Sequence, residues 1–295
     1  MSNTTLSAFI LNIITLSSTS ITILICLIIL LILISTRAYK KDVHLLLCTN
    51  TYLSILAYSL TSGSLYIDTL RGDLQANYEV KYMVLCRIRG LLVLAFLSTF
   101  FGAFSLQAFF RLCRIVYRQH RRLQKYRIQL LFILIKWLFS CTFVWLVDIE
   151  YLPTEHYCSI PFHTLKPILL ASIIAYGFPS LMIALFYIRI VLYLRSESHS
   201  VTMQRRTRRD FAVMRRIGIT TGSLWFLGIP SMVLFFYGQI LDGKIHPLTY
   251  RIEWITPSFA LGILSIYLIS CDPHLSRIIF SNQQHHYESV KINAH

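Results

Sequence analysis

Seven long runs of the chain are uncharged apart from Lys136, and basic or polar segments separate them. A helix that crosses the ~30 Å hydrocarbon core of a bilayer needs about 20 apolar residues. In lipid every backbone polar group needs an internal partner, which a helix supplies. The pattern therefore predicts an all-α membrane protein, a bundle of seven transmembrane helices. The predicted spans extend several of these runs into flanking charged residues, and they are residues 9–34, 43–67, 87–110, 128–148, 167–192, 214–240 and 252–271.

The composition agrees with this pattern, because 55% of the residues are hydrophobic and only 14% are charged. A soluble chain carries more charge for so many apolar residues. The connecting segments are short, so residues 1–280 are predicted to form one domain, followed by a cytoplasmic tail at 281–295. A cleaved signal peptide is the alternative for the first run. That run has no basic residue before Arg37 and exceeds the length of a signal core, which favours a span.

The net charge of +15 is concentrated in alternate connecting segments. Residues 35–44 hold three Lys or Arg, residues 111–127 hold seven and residues 195–216 hold seven, whereas the opposite segments hold seven together. Basic segments remain on the cytoplasmic side of a membrane. We therefore predict an outer N-terminus and an inner C-terminus, in the plasma membrane. The same distribution argues against a nucleic-acid partner and favours contact with anionic membrane lipid.

Two features of the predicted outer side agree with this orientation. Asn3-Thr4-Thr5 is an N-glycosylation sequence on the outer tail, with Asn3 as the acceptor. Of seven cysteines, only Cys86 and Cys158 fall at outer positions. Disulfides form on the oxidising side of a membrane. The topology thus permits one disulfide, Cys86–Cys158, and the alternative is two unpaired thiols.

Several spacings match a known family. Cys86 begins the third span, Arg111 ends it 25 residues later, and Cys158 follows in the second outer loop. The other matches are a tryptophan in span four, a proline with a tyrosine eight residues on in span five, and a proline in span six with an acidic residue 20 positions before it: Trp137, Pro179, Tyr187, Pro230 and Asp210. With these spacings, residues 6–280 resemble the rhodopsin-like G-protein-coupled receptors.

The resemblance implies a receptor that passes an extracellular signal to a heterotrimeric G protein at the cytoplasmic face. Arg111 and Asp210 would form an ion pair between helices three and six at rest, and activation would separate those helix ends. Tyr187 and Tyr267 would belong to the same switch. The prolines of helices five and six would act as hinges, because a proline removes one hydrogen bond of its helix.

The chain also departs from the family pattern. Phe110 replaces the acidic residue before the helix-three arginine, and Ile55 replaces the helix-two aspartate. The first change weakens the expected control of the resting state, and the second argues against a sodium site. Of the family's Asn-Pro-x-x-Tyr sequence in helix seven, one register keeps only Tyr267, and the other reads Asp272-Pro273. We favour the first register, in which Pro273 ends the helix.

The outer halves of helices three, five, six and seven would line a ligand pocket. The candidate lining residues are Val93, Leu97, Ser172, Phe235 and Trp254. Val93 stands where amine receptors of the family carry an aspartate, so an amine held by a helix-three carboxylate is not expected. Helix seven has no lysine, which excludes a retinal Schiff base there. The expected ligand is a peptide or another small molecule.

Several charged residues lie within or beside the spans. Lys136 falls in span four, and Arg87, Arg89, Arg251 and Glu253 mark the outer rim. Long charged side chains near helix ends usually reach towards the headgroups. We therefore expect Lys136 to extend to the cytoplasmic surface, with a paired role as the alternative, and at least half of the rim residues to extend to the outer surface.

No arrangement in the spans indicates catalysis. The sequence shows no paired carboxylates, Ser/His pair, metal-ligand spacing or phosphate-binding glycine loop. We therefore predict no enzyme activity, no cofactor and no metal. The alternative to a receptor is a seven-helix transporter or a non-signalling membrane protein. Transporters usually carry internal repeats and several intramembrane charges, which favours the receptor.

Overall fold

The computed structural model describes residues 3–37, 40, 42–75, 83–152, 156–161, 164–196 and 248–271, with positions 222, 229–230, 232–234, 236–238 and 240. These residues include six long helices and one hairpin. The helices are α1 Asn3–Ser35, α2 Val43–Leu74, α3 Met83–Ile115, α4 Tyr126–Phe143, α5 Leu165–Ser196 and α6 Thr249–Cys271. The hairpin strands are β1 Glu150–Leu152 and β2 Tyr157–Ser159, and short 3-10 turns occupy Arg121–Gln124 and Val144–Leu146.

Six helices within the described ranges are long and apolar enough to cross a membrane. The chain is therefore an all-α, multi-pass membrane protein, as the hydrophobic pattern predicts. These helices coincide with six of the seven predicted spans, and α6 corresponds to the last. Most of the predicted sixth span, residues 214–240, lies outside the described residues, and so does the tail at 281–295.

The helix ends differ from the predicted span limits, because a helix continues through the headgroup region while its backbone bonds remain satisfied. Helix α2 runs on to Leu74, and α3 begins at Met83 and ends at Ile115. Asp42 caps α2, where its Oδ1 atom accepts a hydrogen bond from the His44 amide at 3.0 Å. Helix α4 ends earlier than predicted, in the 3-10 turn at Val144–Leu146.

Several polar side chains of α1 face the bundle, and many of its large apolar side chains face outward. Asn12, Thr15 and Thr19 are buried, whereas Leu31 is 65% exposed. Asn12 Nδ2 donates to the Tyr66 carbonyl at 3.2 Å, and the Thr19 hydroxyl donates to the Thr15 carbonyl at 2.8 Å. Lipid as the surrounding medium explains this distribution, since buried polar groups need partners and exposed apolar groups do not.

The apolar core is centred on α3. Phe100 contacts Phe101 and Phe104 edge to face, with ring centroids 5.3 and 5.2 Å apart. Ile55 of α2, which stands where the family has an aspartate, is fully buried in this core. Its packing explains how the bundle accommodates that position without a polar partner.

Helix α5 contains a widened turn just before Pro179. Residues Ile173–Gly177 are π-helical, and regular α-helix resumes at Phe178. Proline has no amide hydrogen to give to the carbonyl four residues back, so the local hydrogen-bond pattern must change. Pro179 therefore lies at a weak point of the helix, and its role as a hinge stays a prediction. Pro230 is helical and half-buried, and its hinge role is likewise a prediction.

The hairpin is held across one end of the bundle, called here the hairpin end. Strands β1 and β2 pair antiparallel, with Tyr151 opposite Cys158. A disulfide joins Cys158 to Cys86 on α3, which confirms the predicted pair. Gly90 allows the close approach, since a Cβ atom there would lie 2.7 Å from the Cys158 carbonyl oxygen. The hairpin therefore packs directly against the first turns of α3.

Candidate functional site

A cavity of about 80 Å³ lies beneath the hairpin, between α2, α3, α5 and α6. Four of the five predicted pocket residues line it: Val93, Leu97, Ser172 and Trp254. Val93 and Leu97 are one helical turn apart on α3 and therefore share a face. Ser172 precedes the π-helical turn of α5. The fifth residue, Phe235, lies outside the described side chains, and ligand binding by the set stays a prediction.

Sequence reasoning missed the other residues that line the same cavity, among them Tyr58, Tyr176 and Glu253. The Tyr176 ring packs on Phe101, with centroids 4.5 Å apart. Trp254 is edge-on to Tyr66 at 6.1 Å, which fixes the orientation of its indole. Tyr58 carries no sequence signal, whereas Glu253 is an acidic residue inside a hydrophobic helix. That feature could have identified Glu253 as a site residue.

Two ion pairs join the helices around the cavity. Arg251 of α6 donates two hydrogen bonds to the Asp73 carboxylate of α2, at 2.6 and 2.7 Å. Arg89 of α3 pairs with Asp68 of α2 at 2.5 Å. Arg251 is only 8% exposed, so it is not one of the rim residues that extend to the headgroups. The sequence did not reveal these pairs because both aspartates lie beyond the predicted end of span two.

A second polar cluster joins α2 to α4. Asn50 Oδ1 accepts hydrogen bonds from the Trp137 indole at 3.0 Å and from Lys136 Nζ at 3.2 Å. Gly102 of α3 leaves room for the lysine stem, because a Cβ atom there would lie 3.1 Å from it. The expected extension of Lys136 to the cytoplasmic surface is therefore wrong, and the paired alternative is correct. The ammonium gains a carbonyl partner that lipid cannot offer.

Arg111 lies at the opposite end of α3 from the hairpin. It is partly buried, and the Tyr187 hydroxyl of α5 lies within electrostatic range of its guanidinium. Tyr187 packs against a cluster formed by Leu112, Ile190 and Leu194. The structure thus brings together two of the four predicted switch residues.

The roles predicted for the remaining residues stay predictions. Asp210 lies outside the described residues, so its pairing with Arg111 is a prediction. Tyr267 is half-buried on α6. Asn3 is the first residue of α1, and its glycosylation is a prediction.

Comparison with known protein families and with characterised protein sequences finds no match for this chain. The fold defines the class, a helical multi-pass membrane protein. Its function must be argued from the site.

Proposed function

We propose that the chain is a divergent rhodopsin-like G-protein-coupled receptor of the plasma membrane. It would have seven transmembrane helices, an outer N-terminus and a cytoplasmic tail. An extracellular ligand would act on the cavity, and a heterotrimeric G protein would bind at the Arg111 end. The observation that carries the proposal is the arrangement at the two ends of α3. A disulfide ties one end to a hairpin over a cavity, and an arginine lies at the other end.

The length of α3 supports this division between two faces. Cys86 and Arg111 are 25 residues apart in the sequence. At 1.5 Å of rise per residue, the separation is about 37 Å, enough to reach from one membrane surface to the other. Helix α3 also contacts α2, α4 and α5. A displacement at the cavity therefore has a rigid element along which it can reach Arg111.

The proposed switch is the separation of helix ends at Arg111. At rest, Arg111 would pair with Asp210 of the predicted sixth span, and activation would part them and open a groove for the G protein. An exposed ion pair contributes only about 0–1 kcal/mol, so such a pair would bias the equilibrium modestly. Tyr187, whose hydroxyl has no hydrogen-bond partner among the described residues, would accept a hydrogen bond from the released guanidinium, and Tyr267 would act from the last helix.

The residue before Arg111 supports a loosely controlled resting state. Phe110 is buried with Leu46, Leu47 and Ile133 and so packs against α2 and α4. It offers no carboxylate to restrain the neighbouring guanidinium. We therefore expect measurable signalling without ligand.

A reporter assay with the full chain tests the proposal. Expressed in cells with a promiscuous G protein, the wild type should give a basal or ligand-dependent signal. Arg111→Ala should reduce it at least about tenfold, because the group that contacts the G protein is lost. Arg114→Ala is the matched control, since Arg114 is exposed on the last turn of the same helix.

The control should signal like the wild type at equal surface expression. Equal signals from the wild type and from Arg111→Ala would refute the proposal. So would an equal loss in both variants, which would point to general basic charge rather than to a switch.

A further inference from the structure

We propose that the cavity beneath the hairpin binds a small organic ammonium ion, with Glu253 as its counter-ion and Tyr58, Tyr176 and Trp254 as its aromatic walls. The claim that this ammonium ion is the receptor's signal rests on the receptor function proposed above. As a binding property, it can be measured without any signalling.

The first argument is the carboxylate of Glu253. It lies near the start of a membrane-spanning helix and lines the cavity. Among the described residues, no side chain forms a hydrogen bond or an ion pair with it. A carboxylate withdrawn from water without a partner is strongly unfavourable. Such a residue within a membrane helix indicates function, and a cation in the cavity would complete its electrostatics.

The second argument is that two nearby arginines, Arg89 and Arg251, are already engaged. Arg251 gives both of its terminal nitrogens to Asp73, and Arg89 pairs with Asp68. Residues two positions apart on a helix point to different sides. Arg251 and Glu253 can therefore serve different partners, and the ion pairs at the hairpin end neutralise the arginines and leave the Glu253 carboxylate to a ligand.

The third argument is the aromatic lining. Two tyrosine rings and one indole border the same space as the carboxylate. A cation within about 6 Å of an aromatic face is attracted by the ring, most strongly by tryptophan. A neutral ligand would leave the carboxylate without a counter-charge, and an anion would be repelled by it. Because the α3 residue Val93 is uncharged, the negative charge in the cavity comes from Glu253 of α6 rather than from α3.

The volume limits the size of the ligand group. The cavity of about 80 Å³ is several times the ~10–15 Å³ that one water molecule requires. It is well below the ~300–1,000 Å³ of sites for drug-sized molecules. It therefore suits an alkylammonium group, either as a small free molecule or as the head of a longer ligand.

Choline and its neutral isostere 3,3-dimethylbutan-1-ol separate charge from shape, and n-butylammonium serves as a second cation. Thermal unfolding of the full chain in lipid nanodiscs reports binding directly. We expect millimolar choline or n-butylammonium to raise the melting temperature, and the neutral isostere to leave it unchanged. Glu253→Gln should weaken choline binding by on the order of tenfold or more.

Asp148→Asn is the matched control, because Asp148 is an exposed carboxylate beside the hairpin. It should bind choline like the wild type. Without ligand, Glu253→Gln should melt at or above the wild-type temperature, since it removes an uncompensated charge and keeps the shape. This measurement shows that the variant is folded.

Three results would overturn the inference: no stabilisation of the wild type by either cation, equal stabilisation by the isostere, or full retention of the effect in Glu253→Gln. The first two need no variant. Cation binding without any G-protein signal would leave this inference standing and sink the receptor proposal. Signalling in response to a neutral or anionic ligand, without cation binding, would leave the receptor proposal standing and overturn this inference.

Discussion

At the scale of single residues, the most informative side chain is Asn50. Its carbonyl oxygen is the acceptor for both the Lys136 ammonium and the Trp137 indole. In the membrane interior, a donor without an acceptor forfeits its solvation with no replacement. The Asn50 side-chain oxygen thus satisfies two donors of α4. Removal of this acceptor should therefore affect stability differently from removal of one donor.

Asn50→Leu should lower the unfolding free energy by about 2–4 kcal/mol, because it leaves a cation and an indole N–H without their acceptor. Lys136→Met should change it by less than about 1 kcal/mol, since the indole keeps its bond and the buried charge is removed. Thermal unfolding in nanodiscs measures both. The exposed Leu138 of α4 provides the control variant Leu138→Ala.

The double variant Asn50→Leu/Lys136→Met should recover part of the stability lost in Asn50→Leu. If Lys136→Met is as damaging as Asn50→Leu, the lysine contributes more than a hydrogen bond to Asn50. The account of this cluster would then be wrong.

At the scale of elements, the hairpin and its disulfide set the shape of the cavity roof. The bond joins positions separated by 72 residues and seats Cys158 over Gly90. Ile149, Ser159 and Ile160 line the cavity from this side. A hairpin of two three-residue strands is too small to be stable alone. Its position therefore depends on the covalent link to α3.

Cys158→Ser should lower the unfolding free energy by up to about 4 kcal/mol, the loop-closure entropy of a loop of this length. Helices already inserted in lipid restrict the unfolded chain, so this value is an upper limit. The same variant should weaken ligand binding in the cavity. Cys141→Ser, which changes a half-buried free thiol on α4, is the control.

Cys86→Ser should match Cys158→Ser, and the double variant should lose no more than either one, because all three remove the same bond. Wild-type protein treated with reductant should melt like the variants. A wild-type melting curve from Cys158→Ser would exclude a structural role for the link.

At the scale of the whole molecule, the bundle buries polar groups beside its apolar core and exposes many large apolar side chains on its outer surface. The exposed surface of α4 carries Leu138 and Phe139, and Trp145 and Leu146 follow in the 3-10 turn beyond it. Exposure of such an apolar surface is unfavourable in water, whereas lipid accommodates it. The concentration of Lys and Arg in alternate connections would then set the orientation of the proposed seven-span bundle.

An odd number of spans puts the two termini on opposite sides of the membrane. We expect Asn3 to be glycosylated, so that Asn3→Gln removes a glycosidase-sensitive mass shift. A tag at the C-terminus should be reached by antibody only after cells are permeabilised. Both termini on the same side would exclude the proposed seven-span topology and favour a transporter-like even count.

The sequence by itself determined the six described membrane-spanning helices, the disulfide pair and four of the sixteen described residues that line the cavity. Insertion of a helix into lipid depends on the transfer of its own side chains, which is a local property. The two cysteines could be paired because no others fall on the predicted outer side. Val93 and Leu97 could be placed through the resemblance to the receptor family, because both lie in the outer half of the third span and Val93 follows Cys86 by seven residues.

The tertiary structure alone decided which polar groups meet. Lys136 and Asn50 are 86 residues apart, and Arg251 and Asp73 are 178 apart. The rotation of each helix about its axis is set by packing against its neighbours, and hydropathy does not encode it. That rotation sends Arg251 to a carboxylate and Glu253 to the cavity. The sequence gives the positions of these charged residues, but only the packing of the helices decides which groups they contact.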